Sequence, residues 1–286
     1  MPDREVLNLK KRILSIVCIS VIGLLTGCVN YDKIIEERQK KEEESQKMDE
    51  AKGIIVAELG DINNNGYTEK LILEKNVLKL TDGAEIVFRT YIDAEYLYTG
   101  LRAITTDLDN DKQNEVAVLL ESTLESYGSL KTEKIYDVLV LNSNETGEYS
   151  LNEFPNEVSS KASFSGVSVD VKAVGEFEYQ VEYRDIKTVV NVARLYKESL
   201  LVGADYDKLL VAWQKIMNSG YQGECLGVCN VSSIRDTDDN VLLRVQHYVV
   251  GGDGAIIGYI ETDLSYDEFG SYEIKDIRFI ERISLI

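Results

Sequence analysis

The sequence predicts a mainly β domain made of repeated units, with one amphipathic helix inserted among the strands. Three observations support this prediction. From residue 53 onward, short runs rich in Val, Ile, Leu and Tyr are broken by Asn, Asp and Gly, which is typical of strands joined by turns. An Asp-rich loop pattern occurs twice at a fixed spacing, as in repeat architectures. Helical periodicity distinguishes one segment from the rest.

The N-terminal residues 1–27 have the features of a secretory signal. The basic residues Lys10–Arg12 precede an apolar run, Ile13–Leu25, which is shorter than the roughly 20 apolar residues that a transmembrane helix needs. The run ends in Leu25-Thr26-Gly27-Cys28, which resembles the lipobox of bacterial lipoproteins. This resemblance implies that Cys28 is lipidated, that the chain is cut just before it, and that the mature protein is anchored on the extracytoplasmic face of the cell membrane.

A charged tether is predicted over residues 28–52. From Tyr31 to Lys52 the chain is dense in Glu and Lys and has almost no large apolar side chain after Ile35. Such a segment forms either a solvated helix or a self-repelling linker, and in both forms it holds the following domain away from the membrane. Residues 53–286 are then the folded domain.

The folded domain is predicted to consist largely of strands and hairpins. Turn chemistry at Thr81–Ala84 and Asn144–Gly147 separates apolar runs, and the segment Gly251–Gly254 lies between two strand-like runs, which favours a hairpin turn over a phosphate loop. The predicted strands are Ile54–Leu59, Lys70–Leu73, Val77–Leu80, Glu85–Thr90, Val116–Leu120, Tyr136–Leu141, Val167–Val171, Glu178–Tyr183, Val189–Arg194, Val241–Val250, Ile256–Glu261 and Glu273–Ile280.

The segment Asp205–Met217 is predicted to be an amphipathic helix packed on the sheets. It has an acidic start and places six apolar side chains at helical spacing. These are Leu209, Leu210, Ala212, Trp213, Ile216 and Met217. The Trp213 side chain is expected to lie in the core and not to contact a ligand.

Two loops carry the residues best suited to bind a ligand. Oxygen-bearing side chains occupy positions 1, 3, 5 and 9 of each loop, and the backbone carbonyl at position 7 adds a further oxygen. In the first loop these residues are Asp61, Asn63, Asn65, Tyr67 and Glu69, and in the second they are Asp107, Asp109, Asp111, Gln113 and Glu115. Alternating oxygens in a tight loop converge on a hard cation, so calcium is the expected cofactor, and turns stabilised by their own Asx side chains are the alternative. An EF-hand is excluded because position 12 holds Ile72 or Val118 in place of Glu.

The two loops start 46 residues apart, a spacing typical of one propeller blade. With this period, residues 53–286 would form a small β-propeller of about five blades, and an open β-sheet assembly or a sandwich is the alternative fold. A weaker third copy starts at Asp236-Thr-Asp238-Asp-Asn240, but its position 9 is Arg244. This third loop is therefore expected to bind no metal.

The second loop, the strand after it and the segment VLVLNSNETGEYSLNEF together resemble the FG-GAP/VCBS repeats of integrin-type β-propellers and of bacterial surface lipoproteins. In that family each blade carries an Asp-rich calcium loop between strands. The resemblance implies that the residues at positions 1, 3, 5 and 9 of both loops are calcium ligands. The chain departs from the family where Asn at two positions lowers the charge of the first loop and where Lys112 replaces Gly in the second.

Two cysteines and one histidine are the remaining candidates. Cys225 and Cys229 are compatible with a small-loop disulfide in an oxidising compartment, and two buried free thiols are the alternative. A zinc site is disfavoured because the folded domain has no second cysteine pair and His247 is the only histidine. His247 lies in a strand-like run, where a structural role is expected.

The composition narrows the function classes. Asp+Glu 50 against Lys+Arg 31 gives a net charge of −19, and such a surface repels nucleic-acid phosphates and suits divalent cations. The sequence contains no GxSxG, HExxH or P-loop pattern. We therefore expect a non-catalytic binding or scaffolding protein whose ligand is a protein or a glycan. The alternatives are a carbohydrate-active hydrolase with paired carboxylates and a purely structural envelope protein.

Overall fold

The computed structural model describes residues 53–92, 98–123, 133–144, 148–152, 154–155, 160–161, 164–165, 168–193, 195, 206–220, 222–252 and 254–282. The signal peptide, the lipidated Cys28 and the tether are predictions for residues 1–52 and lie outside this range. So do residues 145–147 of the predicted turn Asn144–Gly147. Residues Ile55–Ile286 form one compact unit.

The described part of the chain contains seventeen strands and the helix α1. The strands are β1 Ile54–Gly60, β2 Glu69–Glu74, β3 Val77–Asp82, β4 Glu85–Tyr91, β5 Gly100–Thr106, β6 Glu115–Thr123, β7 Lys134–Ser143, β8 Tyr149–Leu151, β9 Ser160–Lys161, β10 Phe164–Ser165, β11 Asp170–Gly175, β12 Glu178–Tyr183, β13 Ile186–Asn191, β14 Glu224–Arg235, β15 Val241–Val250, β16 Ile256–Tyr266 and β17 Tyr272–Glu281. The helix α1 is Tyr206–Ser219, and none of the described helical segments is long and apolar enough to cross a membrane.

The first four strands form a sheet in the order β1-β2-β3-β4. β2 pairs antiparallel with β3, and β3 pairs antiparallel with β4, so that Leu80 lies opposite Leu71 on one side and Phe88 on the other. Leu71, Leu73, Leu78 and Leu80 are buried, whereas the residues between them are more exposed. This alternation is the two-residue period of a strand with one face on the core.

An eight-stranded sheet has the order β17-β16-β15-β14-β7-β6-β5, with β8 paired to β7. β7 is forked. Near its start it pairs with β14 through Tyr136 and Val228, and at its end it pairs with β8 through Leu141 and Leu151. Two smaller sheets, β9-β10 and β11-β12-β13, complete the described strands.

The prediction of a mainly β fold is confirmed, whereas the prediction of a closed propeller is wrong. The sheets are open and antiparallel. Two successive groups of four strands, β1–β4 and β5–β8, each have an acidic loop between the first two strands. The second group does not form a separate blade, because β7 also pairs with β14 and thereby joins the group to the C-terminal strands β14–β17. The third acidic loop only connects β14 to β15.

β6 is the most buried strand of the second group. Its residues Val116, Val118 and Leu120 pack in a cluster with the first sheet, and Ala117 and Leu119 pack in a cluster with β14–β16. All five side chains are buried. A strand covered on both faces shows a continuous apolar sequence rather than an alternating one, which explains the run VAVLL.

The helix α1 packs beside the three-stranded sheet, and both the predicted helix and the predicted core position of Trp213 are confirmed. The Trp213 side chain is 1% exposed and donates a hydrogen bond from Nε1 to the Gly175 carbonyl oxygen at 2.8 Å. Its ring centroid lies 5.4 Å from that of Phe177 and 4.9 Å from that of Tyr179. The helix begins at Tyr206 and extends two residues beyond the predicted end.

Cys225 and Cys229 both lie on β14, and no disulfide joins them in the structure. Cys225 is buried, and the Cys229 thiol donates to the Gln246 carbonyl oxygen at 3.3 Å. The structure therefore has the free-thiol alternative. His247 is fully buried on β15, between Val228 and Ile260 of the neighbouring strands.

Candidate metal centre

The two acidic loops have the same backbone conformation. Asn64 (φ 59°) and Asn110 (φ 63°) occupy position 4, and Gly66 (φ 91°) and Lys112 (φ 76°) occupy position 6. Asn and Gly adopt this left-handed region readily, but a lysine rarely does. The second loop thus keeps the shape of the first although Lys112 replaces the glycine, which shows that the other loop residues determine the turn.

Each loop is closed by a hydrogen bond from position 2 to the Glu at position 9. The Ile62 amide donates to Glu69 Oε2 at 2.9 Å, and the Leu108 amide donates to Glu115 Oε2 at 2.6 Å. The side chains of Ile62 and Leu108 are buried in the two main core clusters. An apolar residue therefore anchors each loop and presents its own amide to the buried glutamate.

The aspartate at position 1 also bonds to its own loop. Asp61 Oδ2 accepts from the Gly66 amide at 2.9 Å, and Asp107 Oδ2 accepts from the Lys112 amide at 3.1 Å. These are Asx-type bonds, which stabilise a turn without any ligand. The loop shape alone therefore does not distinguish a metal site from a turn, and the decisive feature is whether ligand oxygens of three or more residues come together.

The second loop leaves such oxygens close together. Ligand oxygens of Asp107, Asp109 and Glu115 all lie within 4.8 Å of one another. Glu115 is 1% exposed, and neither its Oε1 nor the buried Oδ1 of Asp107 has a hydrogen-bond partner. Asp107 and Asp109 are half-buried, so the cluster is open to solvent on one side. Buried polar atoms are almost always paired, so two unpaired carboxylate oxygens in one place indicate a missing positive partner.

The electrostatics of the second loop agree with this geometry. Burial, together with the charges of Asp109, Asp111 and Asp107, raises the pKa of Glu115 to about 8. Burial is also the main cause that raises the pKa of Asp109, with the neighbouring charges of Asp111 and Asp107 adding to it. Without a cation the cluster favours a bound proton, and a divalent cation would relieve the same repulsion.

The first loop does not gather its carboxylates in this way. Asn63 Nδ2 and Asn65 Nδ2 donate to Asp82 Oδ2 at 3.1 Å and 2.5 Å, but Asp82 Oδ1 and Glu69 Oε1 are buried without a hydrogen-bond partner, as two oxygens of the second loop are. Glu69 is fully buried, and burial raises its pKa, with the charges of Asp82 and Asp61 contributing. Among the described residues, the first loop contributes no group of three ligands comparable to that of the second.

The two loops are neighbours in space. Asn114 Nδ2 donates to the Ile62 carbonyl oxygen at 3.0 Å and so links position 8 of the second loop to the first. The buried Tyr149 packs in the same cluster as Ile62, and burial together with the charges of Glu69, Asp82 and Glu115 raises its pKa to about 12. Neither Asp82 nor Tyr149 was predicted as part of the site. Asp82 lies directly opposite Glu69 in the β2–β3 register, so the predicted turn at Thr81–Ala84 was the signal that could have found it.

Other predicted ligands lie outside the carboxylate cluster. Asp111 accepts from the Gln113 amide at 2.7 Å and from Gln113 Nε2 at 3.2 Å, and the Tyr67 side chain is 63% exposed. The third loop is a hairpin turn in which Asp236 Oδ1 accepts from the amides of Asp238 and Asn240 at 2.8 Å and 2.9 Å. Within the part of the chain that the structure describes, this turn contributes no group of three ligands like that of the second loop.

Comparisons of the chain with protein-family models, with curated proteins and with solved structures gave no match. The class defined by the described residues is therefore a mainly β domain with open antiparallel sheets and a buried carboxylate cluster in one of two equivalent loops. The resemblance to FG-GAP/VCBS repeats stays a prediction that rests on the loop sequences.

Proposed function

We propose that the chain is a lipid-anchored, extracytoplasmic binding or scaffolding protein whose second acidic loop is stabilised by calcium. The observation that carries the calcium proposal is the pair of unpaired, buried oxygens on Asp107 and Glu115, with Asp109 beside them. Calcium prefers hard oxygen ligands and accepts six to eight of them, and carboxylates with water can supply this number. Bound there, calcium would offset the repulsion among the three carboxylates and tie the end of β5 to the start of β6.

The burial of Glu115 supports a non-catalytic role for this cluster. A glycoside hydrolase needs two carboxyl groups that contact the scissile bond of a polymeric substrate. Glu115 is 1% exposed and accepts a backbone hydrogen bond from Leu108, so it is positioned for the loop and not for an incoming sugar. The cluster is therefore better suited to holding a small cation than to acid–base catalysis.

Calcium is expected to bind the soluble domain and to raise its melting temperature. Metal that binds only the folded state stabilises it by about 2.7 kcal/mol when free calcium is a hundredfold above its dissociation constant. Isothermal titration with calcium, together with thermal unfolding in calcium and in chelator, measures both effects. Asp109→Asn is expected to remove most of the response, because it deletes a charge from the cluster.

Asp238→Asn is the matched control for that experiment. Asp238 occupies position 3 of the third loop, as Asp109 does of the second, but it is exposed and lies in a plain hairpin turn. The control is expected to keep the full calcium response. Equal melting temperatures of the native domain in calcium and in chelator would show that both loops are ordinary turns.

Membrane attachment through Cys28 is the second part of the proposal, and it rests on the signal-like residues 1–27. Cys28→Ser is expected to move the protein from the membrane fraction to the soluble fraction, because the acylated thiol is lost. Cys18→Ser is the control, since Cys18 lies within the predicted signal and should be removed with it. Membrane fractionation of both variants measures the effect, and an unchanged membrane fraction for Cys28→Ser would contradict the anchor.

A further inference from the structure

The sheet β1–β4 has one buried face and one exposed face. The alternating leucines of β2 and β3 pack in the core, so the residues between them point to the other side of the sheet. We name this other side, together with Lys75 in the β2–β3 turn, the outer face. It is continuous across the sheet, because Lys70 of β2 forms an ion pair with Glu58 of β1 and Lys79 of β3 lies opposite Arg89 of β4.

The outer face is basic, although the chain as a whole has a net charge of −19. Its charged residues are four bases and two acids, namely Lys70, Lys75, Lys79, Arg89, Glu58 and Glu74. Asp82 and Glu85 lie opposite each other, and Asp82 lies opposite the buried Glu69, so both belong to the other side of the sheet. The remainder of the chain is therefore repelled by an anionic surface, whereas the outer face is attracted by it.

Two of the four cations on the outer face are available to an external anion. Lys70 and Lys79 each form an ion pair, with Nζ 2.6 Å and 2.7 Å from a carboxylate oxygen. Both ion pairs are partly exposed, and exposed ion pairs are weak, so a phosphate can replace the carboxylate. Among the described residues, neither Lys75 nor Arg89 forms an ion pair, and both are exposed.

Exposed apolar side chains lie among these cations. Val56, Ile86 and Tyr91 are 40%, 56% and 70% exposed, although each belongs to a strand of the sheet. The guanidinium carbon of Arg89 lies 5.6 Å from the centre of the Tyr91 ring. Basic side chains mixed with apolar and aromatic ones are typical of surfaces that lie at a membrane interface. This mixture favours a lipid surface over a free acidic peptide, because a bilayer offers phosphates and an apolar layer beneath them.

The position of the outer face along the chain agrees with this chemistry. β1 is the first strand of the domain, and only Gly53 separates it from the predicted tether at 28–52. A flexible chain of about 25 residues spans roughly 25–30 Å, so an anchored domain stays close to the membrane. The resulting high local concentration allows a contact to form that would be weak for a free protein.

We propose that the outer face docks the domain on a membrane surface that carries anionic lipid headgroups. Lys75 and Arg89 contact the lipid phosphates, and Tyr91 lies between the headgroups and the acyl chains. The proposal rests on the membrane attachment in the proposed function, but it goes beyond it, because it assigns a docking surface to the folded domain itself. It requires no metal.

Protection of Lys75 on vesicles tests the docking. The chain from Val29 onward contains the whole compact unit 55–286, and an N-terminal histidine tag attaches it to vesicles that contain a nickel-chelating lipid. The tag takes the place of the acyl chain, so the measurement does not depend on lipidation of Cys28. One set of vesicles contains phosphatidylcholine, and the second set also contains phosphatidylglycerol as the anionic lipid. Mass spectrometry measures how fast each lysine is acetylated.

Lys75 is expected to be acetylated several-fold more slowly on the anionic vesicles than on the neutral ones, because docking shields its amine. The protection should disappear in about 1 M salt, where charges are screened beyond roughly 3 Å. Lys187 is the internal reference, since it is exposed on β13, outside the sheet β1–β4. Its rate should be the same on both sets of vesicles.

Arg89→Glu is expected to remove most of the protection, because a single basic residue near an anionic surface strengthens attachment about fivefold and the variant reverses that charge. Arg235→Glu is the matched control. Arg235 is exposed on β14 and pairs with Asp239, so the variant changes the net charge equally but should keep the protection. Tyr91→Ser is expected to reduce the protection and keeps the test valid if Arg89→Glu folds poorly.

The proposal is overturned if Lys75 reacts equally fast on both sets of vesicles, or if Arg235→Glu removes the protection as Arg89→Glu does. It is also overturned if soluble polyglutamate protects Lys75 and anionic vesicles do not, which would indicate an acidic protein partner. The anchor fails separately. A Cys28→Ser chain that stays in the membrane fraction after a wash in the same salt contradicts the acyl anchor alone, because the salt removes docking by charge.

Discussion

In calcium-free buffer, Glu115→Gln is expected to become increasingly more stable than the native domain as pH rises from about 5 to about 8. The pKa of Glu115 is raised from 4.5 to about 8, so the folded state must either keep a proton or bury a charge beside Asp107 and Asp109. The protonation of Glu115 contributes fully to the free energy of unfolding below pH 4.5, and this contribution is lost as pH rises through about 8. The full loss corresponds to up to about 5 kcal/mol, and the neutral amide of glutamine avoids it.

Urea unfolding of both proteins at a series of pH values measures this difference. Glu85→Gln is the control, since Glu85 is exposed at the start of β4 and its replacement should change stability equally at every pH. In saturating calcium the native domain should be more stable than Glu115→Gln, because the native carboxylate then has a cationic partner and glutamine lacks the charge. A stability difference that is independent of pH in chelator would mean that Glu115 is not a strained carboxylate.

Trp213→Ala is expected to lower the free energy of unfolding by about 3–5 kcal/mol. The indole is 1% exposed between α1 and the three-stranded sheet, where it contacts Phe177 and Tyr179. Its removal leaves a cavity and also leaves the Gly175 carbonyl without the 2.8 Å hydrogen bond from Nε1. Chemical unfolding followed by circular dichroism measures the loss.

Val211→Ala and Trp213→Phe are the comparison variants for that measurement. Val211 lies on the same helix but is 52% exposed, so its truncation should change stability by no more than about 0.5 kcal/mol. Trp213→Phe keeps an aromatic ring and loses the hydrogen bond, so its loss of stability should lie between those of Trp213→Ala and Val211→Ala. Similar effects of Trp213→Ala and Val211→Ala would contradict the packing of α1 on the sheet.

The local elements could be predicted from the sequence because their signals are local. Glu178–Tyr183 and Val241–Val250 match the observed β12 and β15 residue for residue, and α1 differs by one or two residues at each end. Five strands were not predicted, namely β5, β14 and the short strands β8, β9 and β10. β14 contains Gly227 and two cysteines within an irregular stretch, and β5 is short and contains few strongly apolar residues, so neither shows a clear alternation.

The arrangement of the sheets depends on contacts between distant segments, and the sequence pattern does not encode these directly. The 46-residue spacing predicted a closed propeller, but it could not reveal that β7 pairs with β14 and so prevents closure. For the site, the loop motif predicted Asp107, Asp109 and Glu115. The cleft of about 370 Å³ that is lined by the turns at 236–240 and 267–271 and by the second acidic loop was not predicted, because these segments meet only in the folded sheet.

The pairing of β7 with β14 cannot form until the C-terminal half of the chain is available. The hairpins β2–β3, β5–β6 and β15–β16 join neighbouring segments, so they can form as soon as each has been synthesised. The pairing of Tyr136 with Val228 instead joins two segments that are separated in the chain by all the elements from β8 to α1. Until β14 arrives, the first half of β7 is an open strand edge that can pair with another chain. We therefore expect this single closure to limit the rate of refolding and to govern the tendency to aggregate during it.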